Sequence, residues 1–557
     1  MMRVAIHPPL SRRRGLHGSR RALVGLVLAG TTTLCAQAIP GLGAYTQRFH
    51  PPEVKLQPIA GVRERIQGGK LYLRLNSFLK LALANNTDVN IARLDVDSAG
   101  NAVLAAKAPF DPTLGLNYGS TRYFQPQTSQ LGGANTLASL NSTSQVSFTQ
   151  SLASGQNVSI GFNGSRNTSN SRFSVFNPSI QTGLSFAVSQ PLLRNRGNLA
   201  NRANLLIARA VVQSTVEQTE AHIGDLITAA AGQYWDAVQA RDTIQVEQES
   251  LDLAEKSYAH DKQALDLGAL PKGDIYQSQA QVASRKLALL QAQYAYRERL
   301  DGIRRLIGAD LLPATRDIPI VLEDDPASLA TFTPPTTEQA IADALRTRPE
   351  LKSIQRRFTV NALNARVARS SLLPQLDLGG QYGSNGVGGN LLPSASTSFV
   401  PGGLGDALHH LFGFGSPFYG FTLQLSIPVR SSAAEARLSD ALLSQTRDHY
   451  SERQEQQQII QDVKLASNQL DLAQAQIETA RISVELTQKN VDAEQQKYLL
   501  GATTSFELLQ VQQQLTQAKS ALLNANVEYQ KAVMAEKRAT WTLLDGLGIV
   551  VAPPLVR

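Results

Sequence analysis

The chain is written twice. Ala82-Leu83-Ala84-Asn85-Asn86-Thr87-Asp88 in the first half is answered by Ala344-Leu345-Arg346-Thr347-Arg348-Pro349-Glu350 in the second, and Leu83 stands as far from Pro112 as Leu345 does from Pro374. Each proline opens a segment of alternating apolar residues ending Tyr-Gly-Ser. Each copy then returns through a second alternating segment to Pro191 or Pro428 and enters a long stretch with helical spacing. Length alone suggests several domains, but repetition on this scale points to one elongated body of two repeats. A duplicated helix–strand–strand–helix unit is pseudo-symmetric and suits a channel better than a catalyst.

The alternation is clearest where Leu114, Leu116 and Tyr118 flank Gly115, Asn117 and Gly119, and where Phe421, Leu423, Leu425 and Ile427 flank Thr422, Gln424 and Ser426. Phe186 with Val188, and Leu376 with Leu378, alternate in the same way. Period two with one apolar face means a half-buried strand. Either a soluble sheet edge or a barrel wall with lipid outside and water inside satisfies it. On the barrel reading Leu116 and Leu423 face lipid, and Asn117 and Gln424 face water. Tyr118, Tyr123, Phe124, Phe418 and Tyr419 suit an interfacial aromatic girdle or ordinary sheet packing.

The helical stretches are long. From 431 to 500 there is no glycine or proline, and about 70 residues in one helix would span ~105 Å. Ile459, Val463, Ala466, Leu470, Ala473, Ile477, Ala480 and Val484 recur at three-four spacing, and Leu508, Leu515, Leu522 and Tyr529 mark a return helix. Such spacing makes a narrow coiled-coil seam. The first copy predicts helices over 76–108, 200–267 and 274–305. A proline-rich connector, 311–335, joins the copies, and Thr336 with Gln339 resembles a capping box restarting the helix.

Four short strands cannot close on themselves, and open edges in lipid leave unpaired backbone groups. About eight strands make a barrel filled by its own side chains, so two chains would form a plug. Three chains give twelve strands, room for water, and helices far longer than the ~30 Å hydrocarbon layer.

The N-terminus carries Arg3, Arg12, Arg13, Arg14, Arg20 and Arg21 without an acid, then an apolar run, then Ala36-Gln37-Ala38. That is the order of a secretory signal over 1–38, and Ser11-Arg12-Arg13-Arg14 reads as its basic region rather than a twin-arginine motif. The formal charge of +8 includes those six positives, so +8 − 6 = +2 remains after cleavage. A nucleic-acid partner, which needs a basic patch, loses its support. The single cysteine, Cys35, also lies in this segment. Leu34 and Thr32 before it argue against lipidation, so cleavage after Ala38 is expected. An extended arm follows over 39–70.

No catalytic, cofactor or metal constellation emerges. Gly386-Val387-Gly388-Gly389 reads as a loop, since it opens no helix and lacks the third spaced glycine of a dinucleotide site. His409-His410 reads as a bare pair in a glycine-rich loop, with Asp406 its one nearby acid.

The chain resembles the TolC-like outer-membrane efflux proteins. The residues that carry the resemblance are Leu83-Ala84-Asn85-Asn86, Ala106-Lys107 through Pro112, Gln190-Pro191-Leu192-Leu193, Tyr498-Leu499-Leu500-Gly501 and Glu507-Leu508-Leu509-Gln510. It covers nearly the whole chain beyond the signal. It implies an α+β channel-tunnel: a trimeric β-barrel joined to a long α-helical coiled-coil barrel, with repeat 1 over 71–310, repeat 2 over 336–546 and a tail over 547–557. It implies residence in the Gram-negative outer membrane, reaching into the periplasm. The implied partners are a periplasmic adaptor and an inner-membrane pump or ABC exporter, with no enzymatic role. The alternatives are a periplasmic coiled-coil adaptor or a structural envelope protein.

In the family the periplasmic tips are helical hairpins whose acidic residues ring a closed aperture. The matching positions are 268–274 and 501–507. Asp274 and Glu507 would take the acidic ring, Tyr498 the tyrosine that holds the tip shut, and Gly268 and Gly501 the tip turns or adaptor contacts. Where the family carries an arginine partner this chain has Thr503. Helix capping explains the two acids independently: Asp274 follows Gly273 at a helix start, and Thr504-Ser505-Phe506-Glu507 is a capping-box pattern. One departure stands out. The first copy holds an extra alternating hairpin, 146–152 and 158–162, turning at Ser154-Gly155. It is expected to be an extracellular elaboration, with widening of the barrel as the alternative.

Overall fold

The computed structural model describes residues 59–126, 134–268, 273–311, 313–327, 332–391 and 402–544. The signal segment with Cys35, the arm up to residue 58 and the tail 547–557 lie outside the described residues.

The strands are β1 (Ile66–Gln67), β2 (Lys70–Leu73), β3 (Thr113–Pro126), β4 (Thr136–Ser151), β5 (Asn157–Ser169), β6 (Phe176–Pro191), β7 (Ile320–Leu322), β8 (Gln375–Leu391) and β9 (Pro417–Ser426). The helices are α1 (Leu75–Asn85), α2 (Thr87–Ala105), α3 (Ala203–Asp266), α4 (Asp274–Leu306), α5 (Thr337–Thr347), α6 (Pro349–Ser371), α7 (Leu404–Phe412), α8 (Ser432–Leu499) and α9 (Ser505–Ala539), beside shorter turns.

The opening helix of each copy is broken in two. Asn86 leaves helical geometry (φ −62°, ψ 131°), and its side-chain oxygen accepts from the backbone N–H of Asp88 at 2.7 Å and of Val89 at 3.3 Å. That cap ends α1 and starts α2, where one helix over 76–108 was expected. The second copy breaks at the equivalent residue, Arg348 (φ −60°, ψ 129°), between α5 and α6. There Pro349 occupies the first helical turn and bars the residue before it from helical backbone.

α3 and α8 run the length of the helical part with 64 and 68 residues, or ~100 Å each at 1.5 Å per residue. Far from the strands the layer runs α4–α3–α9–α8, and next to the strands α2, α3, α6 and α8 lie side by side. Ile459, Val463, Ala466, Leu470 and Ala473 are buried along α8 as their spacing predicts, whereas Ala480 and Val484 are partly covered. The largest core lies where the copies meet. Tyr234 and Trp235 of α3 pack there with Phe78 of α1, Met534 of α9 and the sheet β1–β2–β7. The connector therefore contributes β7, parallel to β2, instead of being wholly irregular. Ionic contacts tie the same level together. Arg348 meets Glu350 at 3.0 Å and Asp462 at 2.9 Å, and Arg538 of α9 meets Glu350 at 2.7 Å and Asp225 of α3 at 2.8 Å.

The second sheet has six strands in the order β3-β4-β5-β6-β8-β9, with every neighbouring pair antiparallel. The expected extracellular hairpin is thus β4 and β5, paired in full register inside the sheet. It reaches back to Thr136 through a Ser/Thr/Asn stretch that alternation did not mark. Gly386-Val387-Gly388-Gly389, expected as a loop, belongs to β8. His409-His410, expected in a loop, lies in the last turn of α7.

Candidate functional site: the wall and the tip

Register decides which residues share a face, because successive side chains of a strand point to opposite sides. One line of Cα partners runs Leu114–Phe148–Ile160–Phe186–Tyr382–Tyr419 across all six strands, entirely apolar. The adjacent line runs Thr113–Thr149–Ser159–Ala187–Gln381–Gly420, polar or small. The apolar face continues through the lines of Val188 with Phe421, Leu378 with Leu423, and Leu116 with Val146, Phe162 and Leu184. The polar face is concave: Thr113, Thr149, Ser159, Asp377, Gln381, Thr422 and Gln424 line one hollow. Leu116 and Leu423 stand on the convex face at 76% and 60% exposure, too open for a core packed within one chain. Asn117 and Gln424 stand on the concave face. Tyr118, Phe124 and Tyr419 share the convex face as a girdle would require. Tyr123 and Phe418 do not: register turns both to the concave side, where the Phe418 ring lies over Gly383.

At the other end of the helices the two hairpins turn. Gly268 has φ +76° and Gly501 φ +70°. A Cβ at either would meet nothing within 4 Å, so backbone conformation and not crowding selects glycine. Tyr498, in the last turn of α8, reaches across to α3. Its hydroxyl donates to the Asp261 carboxylate and lies 3.3 Å from His260 Nδ1, with the two rings 4.9 Å apart. Asp261 is fully buried, so the tyrosine donates to a carboxylate oxygen that water does not reach. Asp261 escaped sequence reasoning because it lies 237 residues from its partner. A signal was available: an acid occupies the seam position after Ala254 and Ser257.

Glu507 forms the expected capping box with Thr504: its N–H donates to the threonine hydroxyl at 3.4 Å, and its carboxylate accepts the Thr504 N–H at 3.3 Å. Thr503 places its hydroxyl 2.5 Å from both Glu507 and Glu494. The one hydroxyl proton, shared between the two, holds both carboxyls below the usual range, with Thr504 helping at Glu507 and Lys497 at Glu494. Asp274 heads α4, but its side chain lies outside the described residues. Within one chain, then, the structure brings Tyr498 to Asp261 and Glu507 to Thr503 and Thr504. Among the described residues no cluster of His, Cys, Asp and Glu could hold a metal ion.

A sheet apolar outside and polar inside, continuous with a layer of ~100 Å helices, defines a membrane channel with a helical tunnel. The chain belongs to the outer membrane efflux protein family, which it matches over residues 78–309 and 340–538, one stretch in each copy. Among solved structures it is similar to a membrane protein from Pseudomonas aeruginosa, with a TM-score of 0.61 at 18% identity over 88% of this chain and 98% of that one. It is also similar to the Campylobacter jejuni CmeC outer membrane channel, with a TM-score of 0.59 at 16% identity over 84% of this chain and 86% of that one. At such identities the likeness speaks for the fold. Protein CyaE of Bordetella pertussis is 26% identical over 249 residues, 44% of this chain, which spans about half (49%) of that curated relative's length.

Proposed function

We propose that the chain is the passive exit duct of a tripartite efflux or type I secretion system. On this reading it works as a homotrimer in the outer membrane and carries solutes from the periplasm to the exterior. A periplasmic adaptor and an inner-membrane pump or ABC exporter open it at its periplasmic tip. Asp274 and Glu507 of three chains ring the aperture, and the turns at Gly268 and Gly501 meet the adaptor.

The observation that carries this reading is that, among the described residues, the sheet and the helical layer have four edges without a partner, which match in pairs. β3 and β9 leave the two edges of the sheet open. The edges of the helical layer, α4 and α8, expose Leu287, Leu290 and Tyr294 on one and Leu465, Leu472 and Leu486 on the other. Both stripes follow three-four or seven-residue spacing, the seam of a further helix. A second copy of the same chain satisfies sheet edge and helix edge at once.

Six strands change the arithmetic of closure. With ~4.8 Å between strands and a tilt of ~40°, six strands cover ~38 Å of circumference. Four helices spaced ~9 Å apart cover ~36 Å. Wall and tunnel therefore close at the same copy number without a taper. Two chains would already give twelve strands, so the count no longer selects three, and the trimer rests on the family. Three chains give eighteen strands, in the range that leaves an aqueous channel.

Reconstitution of the detergent-purified protein into planar bilayers tests the reading. Heat-modifiable trimers should conduct, and more so once the tip is loosened. Trimers that seal the bilayer under both conditions would count against a duct, and recovery as a soluble periplasmic protein would favour the adaptor reading.

A further inference from the structure

The connection between β8 and β9 does not simply turn. Its described part forms α7, and α7 lies against the convex, apolar face of the sheet. Ala407 and Leu411 are fully buried. The Thr182 hydroxyl donates to the Ala407 carbonyl at 3.2 Å, and Gly389 N–H donates to the Gly402 carbonyl at 2.5 Å. Gly386 and Gly388 form the seat: a Cβ at Gly386 would run into the Ala407 carbonyl, and one at Gly388 would stand 2.6 Å from the Gly403 carbonyl. This is why β8 is glycine-rich where sequence suggested a loop.

The height of that seat is informative. Five successive outward lines of the wall carry large apolar side chains, from Leu376 with Leu425 up to Leu184 with Phe162, with Gln150, Gln190 and Ser384 the polar residues among them. The next line outward is Tyr118–Ser144–Gly164–Thr182–Gly386, where Tyr118 is the one large side chain, as an interfacial girdle has, and the four strands beside it carry small residues. α7 begins at the distal margin of the apolar band. Its own composition is split lengthwise. At 100° per residue Leu404, Leu408 and Phe412 fall on one flank, and Asp406, His409 and His410 on the other. Leu404 and Phe412 are 55% and 63% exposed. Phe414, just beyond, stacks on Tyr382 of the wall with centroids 5.8 Å apart. The exposed apolar flank is thus continuous with the apolar wall.

From this placement we infer that α7 is an interfacial lipid anchor: Leu404, Leu408 and Phe412 insert at the boundary between headgroups and acyl chains of the outer leaflet, and the Asp406/His409/His410 flank stays in the polar layer. The inference rests on the reading of the sheet as a lipid-facing wall. An apolar helix flank of this kind enters the boundary by ~5–10 Å, which fixes the height of the barrel in the membrane.

The test is lipid quenching of single added tryptophans in the full-length protein, in vesicles of phospholipid brominated either near the headgroup or near the chain end. The native Trp235 and Trp541 are buried in the helical part and supply a constant background from the parent protein. Leu404→Trp and Phe412→Trp probe the flank, His409→Trp the opposite flank, Leu423→Trp the wall and Asn117→Trp the lumen, each in variants first shown to give heat-modifiable trimers. Headgroup-proximal bromine should reduce the added emission of Leu404→Trp and Phe412→Trp roughly twofold, as expected for side chains ~5–10 Å deep. Chain-end bromine should quench Leu423→Trp more than either, and His409→Trp should follow Asn117→Trp. If both flank probes match Asn117→Trp while Leu423→Trp is quenched, the helix lies in water: the inference falls and the wall reading stands. Equal quenching at His409 and Phe412 would also overturn it, since the flanks would not differ. If Leu423→Trp escapes quenching, the wall reading fails and takes the inference with it.

Discussion

Exchanging a single position along β6 should separate two outcomes. Phe186 lies on the convex face with three outward lines on its proximal side and one on its distal side, inside the apolar band. Ala187, its neighbour, lies on the concave face between Ser159 and Gln381. Arginine at the lipid midplane of a barrel costs about 2–4 kcal/mol, whereas lumen positions tolerate charge. At 1.4 kcal/mol per decade that is about a 30- to 700-fold loss in the folded population per chain. Phe186→Arg should therefore shift the urea midpoint for folding into phospholipid vesicles sharply downward, read by the gel shift between heat-treated and untreated samples. Ala187→Arg should stay close to the parent. The reasoning is refuted if Ala187→Arg is the more damaging of the two, because a one-residue slip inverts every face of the sheet. Equal tolerance of both would place the sheet in water.

Three further outcomes are expected. Asp274→Asn combined with Glu507→Gln keeps capping potential but removes charge, so cation selectivity and divalent-cation block of the closed channel should weaken while the trimer stays heat-resistant; unchanged selectivity would leave both acids as caps. Tyr498→Phe removes one donor from a buried carboxylate and should cost about 1–3 kcal/mol at the tip, much of which Asp261→Asn should recover in the double variant; additive losses measured by hydrogen exchange at the ends of α3 and α8 would mean that the two do not act as a pair. Although burial pushes the Glu350 carboxyl up, the hydrogen bond from Arg348 and the charges of Arg538 and Arg348 outweigh it and hold its pKa below the usual value; this stabilisation is present above the unfolded glutamate pKa of about 4.3 and disappears as pH falls through the lower folded value. Glu350→Gln should flatten that acid limb of the thermal stability profile, and an unchanged limb would assign it to other carboxylates.

Much of this architecture could be read from residues. The duplicated spacing from Leu83 to Pro112 marked the two copies, the glycine-free run marked α8 nearly to the residue, and the alternation put Leu116 and Leu423 together on the apolar, convex face. The failures have local causes. The first part of β4 is Thr, Ala, Ser, Leu and Asn without alternation; it is a strand because β3 and β5 both pair with it, a long-range fact. For Tyr123 and Phe418 residue type leaves girdle and sheet packing open, and parity along their own strands decides for the other face. The breaks at Asn86 and Arg348 come from one capping side chain and one proline, each stronger than the periodicity around it. α7 was hidden because its glycine-rich surroundings resemble a loop, and the reason for those glycines is the helix resting on them. Asp261 needed the fold to bring it to Tyr498.

The measurement that bears most directly on the account is cryo-electron microscopy of the protein in lipid nanodiscs, at a resolution that separates strands. The account predicts three copies, an eighteen-stranded wall in which β9 of one chain pairs with β3 of the next, and a helical tunnel of the same width beneath it. A ring of twelve strands with β4 and β5 outside it, or separate chains whose β3 and β9 edges stay open, would contradict it.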